Sequence, residues 1–403
     1  MKGLLIRILL IFILLSFVTG CWNRRELNEL AISAAMGIDY AEDGQFLVTV
    51  QIINPTAIAL QESGSSSYSP VVAFHGKGDT MFEALRRLTT QIPRKIYESY
   101  TKVVIFGENF AKSGISEGLD FLLRDHEFRA DFFFLVAKDM KAKEILEVLT
   151  ILDKIPANEL YQSLQTSHKT WGTTETVTID NLINELASKG NAPALPGVFI
   201  LGNLKEGESI DSLNQSELPA ILANNDLAVF NQDRLVGWLN DSESRGYNFT
   251  QSEINSTIIN IPCQQSENEK IGIEILATSA KVQTTVVENK IKGEVKVSAD
   301  AQIGNTLCSM NFDEKETMTS IEEKTNNEIK QEVIASIKKA QALGTDIFGF
   351  GDALYRSNLK EWKKKESEWN QTFMEMDFDV AVDVNIRGKG NITNSVKKII
   401  EGL

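Results

Sequence analysis

One stretch of this chain is apolar enough to leave water for a bilayer, and it is short. Ile8 to Val18 is an unbroken apolar run apart from Ser16. A spanning helix needs about 20 apolar residues, and Arg7 bounds this run. The chain beyond it is therefore expected to fold in water around its own cores. Lys2 and Arg7 supply a positive n-region, and the small residues Thr19 and Gly20 lead to Cys21. That is the layout of a secretory signal peptide, here residues 1–20.

The ending Val18-Thr19-Gly20-Cys21 resembles a bacterial lipobox. In such a motif the Cys thiol receives diacylglycerol and becomes the first mature residue. Two acyl chains hold a protein at a bilayer where one would be marginal. Cys21 is thus the expected lipidation site, and its covalent acyl lipid the one attached group expected. The formal net charge is -14. An acidic body of this kind argues against nucleic-acid binding, which needs a basic face. It also argues against docking on anionic lipid through a basic patch. Cys263 and Cys308 remain after Cys21. An exported chain could bridge them, but no C-x-x-C pair or framework is present, and they are read as two free thiols.

Periodicity predicts a mixed α/β (α+β) protein of three domains, using about 150 residues per domain as a prior. In residues 21–190, strands are expected at Ala31–Asp39 and Gln45–Asn54 around the turn Glu42-Asp43-Gly44. Further strands are expected at Val71–Phe74, Tyr100–Phe106 and Asp131–Ala137. Thr80-x-x-Glu83 matches a capping box that opens a helix, and helices are expected near Glu117–Arg124 and Lys141–Leu152. The run Asn191 to Gly197 punctuates the chain. A small middle domain, 191–265, would hold a hairpin of Leu227–Phe230 and Arg234–Leu239 around a three-residue loop, and a short helix at Glu243–Glu253. In 266–403, strands are expected at Ile271–Leu276, Ala280–Val287 and Ile291–Ala299. A long helix follows over Asp313–Ala342 with the stripe Ile321, Ile329, Val333 and Ile337. A second helix covers Asn358–Phe373, and an alternating strand closes the domain at Asp377–Ile386.

The search for catalytic chemistry is mostly negative. No G-x-G-x-x-G, P-loop, G-x-S-x-G or H-E-x-x-H is present, and His75, His126 and His168 lack ligand spacing. Arg124-Asp125-His126-Glu127 is the densest polar cluster; without a nucleophile or oxyanion motif it reads as a charged turn. Lys363-Lys364-Lys365 beside Trp362 and Trp369 is diluted by Glu361, Glu366 and Glu368. It reads as a solvated helix face with the indoles packed inward.

Five ordered blocks resemble the C subunits of spore germinant receptors, the Ger(x)C family. They are Cys21-Trp22-Asn23-Arg24-Arg25-Glu26-Leu27-Asn28-Glu29-Leu30-Ala31-Ile32 with Met36-Gly37-Ile38-Asp39; Arg94 to Glu108; Leu119 to Glu127; Leu235 to Asn240 with Glu243-Ser244-Arg245-Gly246-Tyr247; and Asp346-Ile347-Phe348-Gly349-Phe350-Gly351. Asn23 stands where the family usually has Asp. The resemblance implies a non-catalytic, lipid-anchored subunit on the outer face of the spore inner membrane. It implies partnership with membrane A and B subunits, no cofactor beyond the Cys21 lipid, and a nutrient site lying largely with those partners. The alternative class is a solute-binding lipoprotein that captures a nutrient directly. Trp22, Arg24 and Arg25 follow the lipid, where they suit either the membrane interface or a partner subunit. Glu243 and Arg245 are expected at a contact surface, because charged side chains are seldom buried without partners.

Overall fold

A computed structural model describes residues 3–4, 7, 26–62, 68–263, 268–388 and 395–401. The segment carrying the expected signal, Cys21, Trp22, Arg24 and Arg25 lies outside them, apart from Gly3, Leu4 and Arg7.

Fourteen strands among the described residues gather into two sheets. The first runs in the order β10-β9-β7-β6-β5-β1-β2-β3, with β4 beside β1 and β8 beside β7. Its strands are β1 (Leu30–Tyr40), β2 (Phe46–Ile53), β3 (Val71–Gly78), β4 (Lys95–Tyr97), β5 (Val103–Gly107), β6 (Phe133–Ala137), β7 (Ala194–Gly202), β8 (Ala220–Ala223), β9 (Leu227–Asn231) and β10 (Arg234–Leu239). β1, β5, β6 and β7 are parallel neighbours at its centre, while antiparallel pairs form both flanks. Every residue of β5 and β6 is buried. That follows from helices covering both faces, which is why these strands read as continuous apolar runs and do not alternate. One face packs Val104, Phe106, Phe134 and Val136 under the Met81–Arg87 and Ser116–Arg124 helices. The other packs Val103, Ile105 and Leu135 under the Ala142–Glu147 and Pro156–Thr170 helices.

The second sheet runs β11 (Thr257–Pro262), β12 (Lys270–Val287), β13 (Lys290–Thr306), β14 (Asp377–Gly388). Here one face is buried and the pattern alternates: Val295, Val297, Ala299, Ala301 and Ile303 of β13 point inward. Ile321, Ile329, Val333, Ile337 and Ala340 of the Lys315–Leu343 helix cover them. Glu288 and Asn289, both at positive φ, turn β12 into β13, as a tight two-residue hairpin demands.

The mixed α/β class thus holds, with two sheets. The expected middle segment builds no sheet of its own: β7 to β10 extend the first sheet and β11 begins the second. The expected strands Ile271–Leu276 and Ala280–Val287 are one strand carrying an irregularity between Ile275 and Ala277. The hairpin loop is Gln232-Asp233, since Asn231 pairs with Arg234. The expected second helix is broken into Leu359–Lys365, a 3-10 turn Glu366–Glu368 and Trp369–Glu375.

Cys263 and Cys308 are not free thiols. They form a disulfide with Cα atoms 5.8 Å apart. β11 and β13 are both antiparallel to β12 and flank it, so their C-terminal ends arrive together at one end of the sheet. Cys263 follows β11 and Cys308 follows β13 there, each buried. A separation of 45 residues conceals this, because the pairing is decided by strand order. The double variant Cys263→Ser/Cys308→Ser is expected to lose about 2–4 kcal/mol of stability from loop closure. Urea unfolding without reductant measures it; a change below about 0.5 kcal/mol would show the bridge to be absent or without consequence.

Candidate functional site

The two sheets meet where the segment Ser188–Pro193 faces Thr345–Asp352. The long helix ends at Leu343 with Gly344 in the left-handed region, a common helix stop. Thr345 then donates its hydroxyl to the carbonyl of Phe230 on β9, at 2.9 Å. Asp346 is buried, and its carboxylate gathers four donors. Oδ1 accepts from the backbone N–H groups of Phe348 and Gly349, both at 3.0 Å. Oδ2 accepts from Gly351 N–H at 2.9 Å and from the Trp369 indole at 3.0 Å. Burial raises its pKa to about 6 against those donors, so it remains a carboxylate at neutral pH. The same turn reaches across the junction. Ala192 N–H donates to the Asp346 carbonyl at 2.8 Å, and Asp352 N–H to the Gly190 carbonyl at 3.1 Å. Ser188 donates its hydroxyl to Asp352 at 2.8 Å. The backbones touch so closely that a Cβ on Gly351 would lie 2.5 Å from Gly190 Cα. A glycine is required there by space. A cleft of about 1140 Å³ opens beside this interlock, with Glu185, Asn231, Asp346 and Trp369 on its walls.

A second tie is the Asp241–Gln251 helix, which follows β10 directly. Asn240 caps it, and Glu243 completes the box by accepting from Asn240 N–H at 2.9 Å. Arg245, expected at a contact surface, instead turns inward. Its guanidinium forms a two-pronged pair with Glu332 of the long helix, Nε to Oε2 at 2.9 Å, and lies over the Trp171 ring. Only 11% of the Arg245 side chain and 9% of that of Glu332 are exposed. Asn248 donates to the carbonyls of Gly172 and Thr174, at 2.9 and 3.0 Å. One helix therefore binds residues 172–174 of the first half to the long helix of the second. Nearby, burial holds Glu175 well above the ordinary carboxylate range and raises Glu185 to about 8.

The chain's similarities agree with its two-part build. Residues 23–200 match the family described as "Spore germination protein N-terminal domain", and residues 225–390 match "Spore germination B3/ GerAC like, C-terminal". The chain belongs to the Ger(x)C family of spore germination proteins. It is 32% identical over 400 residues to Spore germination protein KC of Bacillus subtilis (strain 168), covering 97% of both chains. It is 21% identical to Spore germination protein B3 of the same organism, over 94% of this chain and 97% of that one. The crystal structure of the GerBC protein superposes with a TM-score of 0.53 at 16% identity, over 87% of this chain and 96% of that chain. This last likeness shows a shared fold.

The Ger(x)C blocks sort by position. Those at Leu235–Tyr247 and Asp346–Gly351 both build the junction. Those at Arg94–Glu108 and Leu119–Glu127 meet beside β4, which pairs with β1. There Lys95 pairs with Glu127, Ser99 donates to the Glu127 carbonyl at 2.6 Å, and Asp125 accepts from Glu127 N–H at 3.0 Å. The Arg124–Glu127 cluster is thus a structural turn, with His126 exposed in it. His75 bonds to Thr49 and Glu147, and His168 to the Thr174 carbonyl. Trp362 and Trp369 are buried, with ring centroids 5.4 Å apart.

Proposed function

We propose that this protein is the lipid-anchored C subunit of a nutrient germinant receptor. It is held at the outer face of the spore inner membrane by acyl chains on Cys21, and it assembles with membrane A and B subunits without catalysing a reaction. The observation that carries this is the similarity to spore germination proteins along 97% of both chains, together with a body whose strongest polar constellations tie its two halves together. Asp346, Arg245 and Asn248 all end on partners within the chain. No helix among the described residues is long and apolar enough to cross a membrane; in this reading attachment rests on the Cys21 lipid. A rigid body confined near a bilayer gains effective concentration toward membrane partners as a tethered module does. Trp22, Arg24 and Arg25 are the contact residues beside the anchor.

The test is Cys21→Ala in the native host. Labelling with a tagged fatty acid is expected to disappear, the protein to leave the membrane fraction, and co-purification with the A and B subunits to fall. A variant that labels and fractionates like the parent would remove the anchor from this reading.

A further inference from the structure

Outside the junction, the turn after β4 holds a buried acid with one unpaired oxygen. Glu98 opens the 3-10 turn Glu98–Tyr100 just after β4. It is 5% exposed, and its Oε2 has no hydrogen-bond partner among the described residues. An unpartnered buried polar atom costs on the order of 1–3 kcal/mol, so its survival calls for an explanation. Glu98 lines a cavity of about 220 Å³ whose apolar wall includes Phe82, Leu85 and Ile96. That cavity shares Phe82, Arg124 and Asp125 with a more open apolar groove of about 610 Å³.

The charged groups around the cavity are Arg86, Lys95, Arg124, Asp125, His126 and Glu127. Two of its three basic groups are already paired with carboxylates. Lys95 pairs with Glu127. Arg124 is held by both oxygens of Asp120, at 2.9 and 2.8 Å. The Arg86 guanidinium sits over the Phe82 ring, 4.8 Å from its centroid. Glu127 and Asp125 add negative potential at Glu98, and Lys95 offsets part of it. What Glu98 Oε2 lacks is a donor within hydrogen-bonding distance, since the Lys95 ammonium is spent on Glu127, and an apolar wall stands beside it.

We propose that this cavity is a binding site for a small primary ammonium compound, with its –NH3+ group against the Glu98 carboxylate and its apolar portion along Phe82 and Leu85. The chemistry is non-covalent. In the free protein, burial and then the charges of Glu127 and Asp125 raise the Glu98 pKa to about 8, so the acid is protonated at pH 7. The arriving ammonium stabilises the carboxylate, and Glu98 releases one proton to solvent. Affinity should therefore rise between pH 7 and pH 8, while an alkylammonium with a pKa near 10 stays charged. This site does not depend on the receptor assignment, since it follows from Glu98 and its cavity alone.

Titration of the full chain in detergent with n-butylammonium, n-butanol and butyrate, followed by ligand-detected NMR, tests it. Saturable millimolar binding of n-butylammonium is expected, at least about tenfold tighter than either control and tighter at pH 8 than at pH 7. Glu98→Gln keeps the shape of the side chain and should weaken butylammonium binding about tenfold. Phe82→Ser, at a residue already half exposed, is a second variant that should also weaken it should the first fail to fold. Absence of saturable binding, equal binding of butanol, or unchanged binding in a folded Glu98→Gln or Phe82→Ser protein would overturn the site.

Discussion

Asp346→Ala is expected to reduce unfolding free energy by about 3–5 kcal/mol, because it orphans four buried donors at once. The substitution leaves the N–H groups of Phe348, Gly349 and Gly351 and the Trp369 indole facing an empty site. Each orphaned buried donor costs about 1–3 kcal/mol, and relaxation recovers part of the sum. The effect should extend beyond the turn. The Asp346 and Gly190 carbonyls are the acceptors that stitch 188–192 to 346–352, so a slack turn loosens the contact between the sheets. Asp346→Asn retains one oxygen but turns an NH2 toward two donors, and should fall between parent and Ala. Urea unfolding followed by tryptophan fluorescence reads both, because Trp369 lies on the constellation. A loss below about 1 kcal/mol for Asp346→Ala would show that the turn is held by its packing alone.

Much of this fold was legible because local pattern and burial coincide. The alternation in β14 through Val380, Val384 and Ile386 and the apolar runs at β5 and β6 announce one-sided and two-sided burial respectively. The capping residue Thr80 accepts from Glu83 N–H as its spacing predicted. Several helices escaped, and two of them show why. Pro156–Thr170 buries Ala157, Leu160 and Leu164 but is polar and rich in Ser and Thr elsewhere, so its amphipathic signal is thin; Pro156 at its first turn was the available sign. Ile179–Ala187 carries Ile179, Leu182, Ile183 and Leu186 at helical spacing, a pattern open to reading.

What the sequence could not show was which distant element each residue would meet. The punctuation at Asn191–Gly197 suggested a boundary, yet from Ala194 it forms the start of β7, whose residues pair with both β6 and β9. The disulfide depends on β11 and β13 flanking β12, a fact of strand order. The blocks at Leu235–Tyr247 and Asp346–Gly351 were singled out by resemblance, but nothing local says that they converge with Ser188–Ala192. Glu98 sits inside another such block, and its unpaired Oε2 becomes visible only once the surrounding helices and the Arg124–Glu127 turn are in place.

Arg245 shows most directly how a sound local rule can point the wrong way. Charged side chains are seldom buried without partners, and the partner here is Glu332, 87 residues away. Gly246, the next residue, lets the two helices approach: a Cβ there would fall 2.2 Å from the Glu332 carbonyl oxygen. With both side chains about nine-tenths buried, solvent screens little of their attraction. Arg245→Ala is therefore expected to cost about 3–5 kcal/mol, because it strands a buried carboxylate. Arg245→Met combined with Glu332→Leu removes both charges at similar volume, and should recover most of that loss or exceed the parent's stability. The double-mutant cycle, read by urea unfolding, separates the coupling of the pair from the packing of each side chain. If the double variant proves as unstable as the sum of its single substitutions, the ion pair does not tie these helices together. The aliphatic stem of Arg245 against Trp171 would then be what holds the first half to the second.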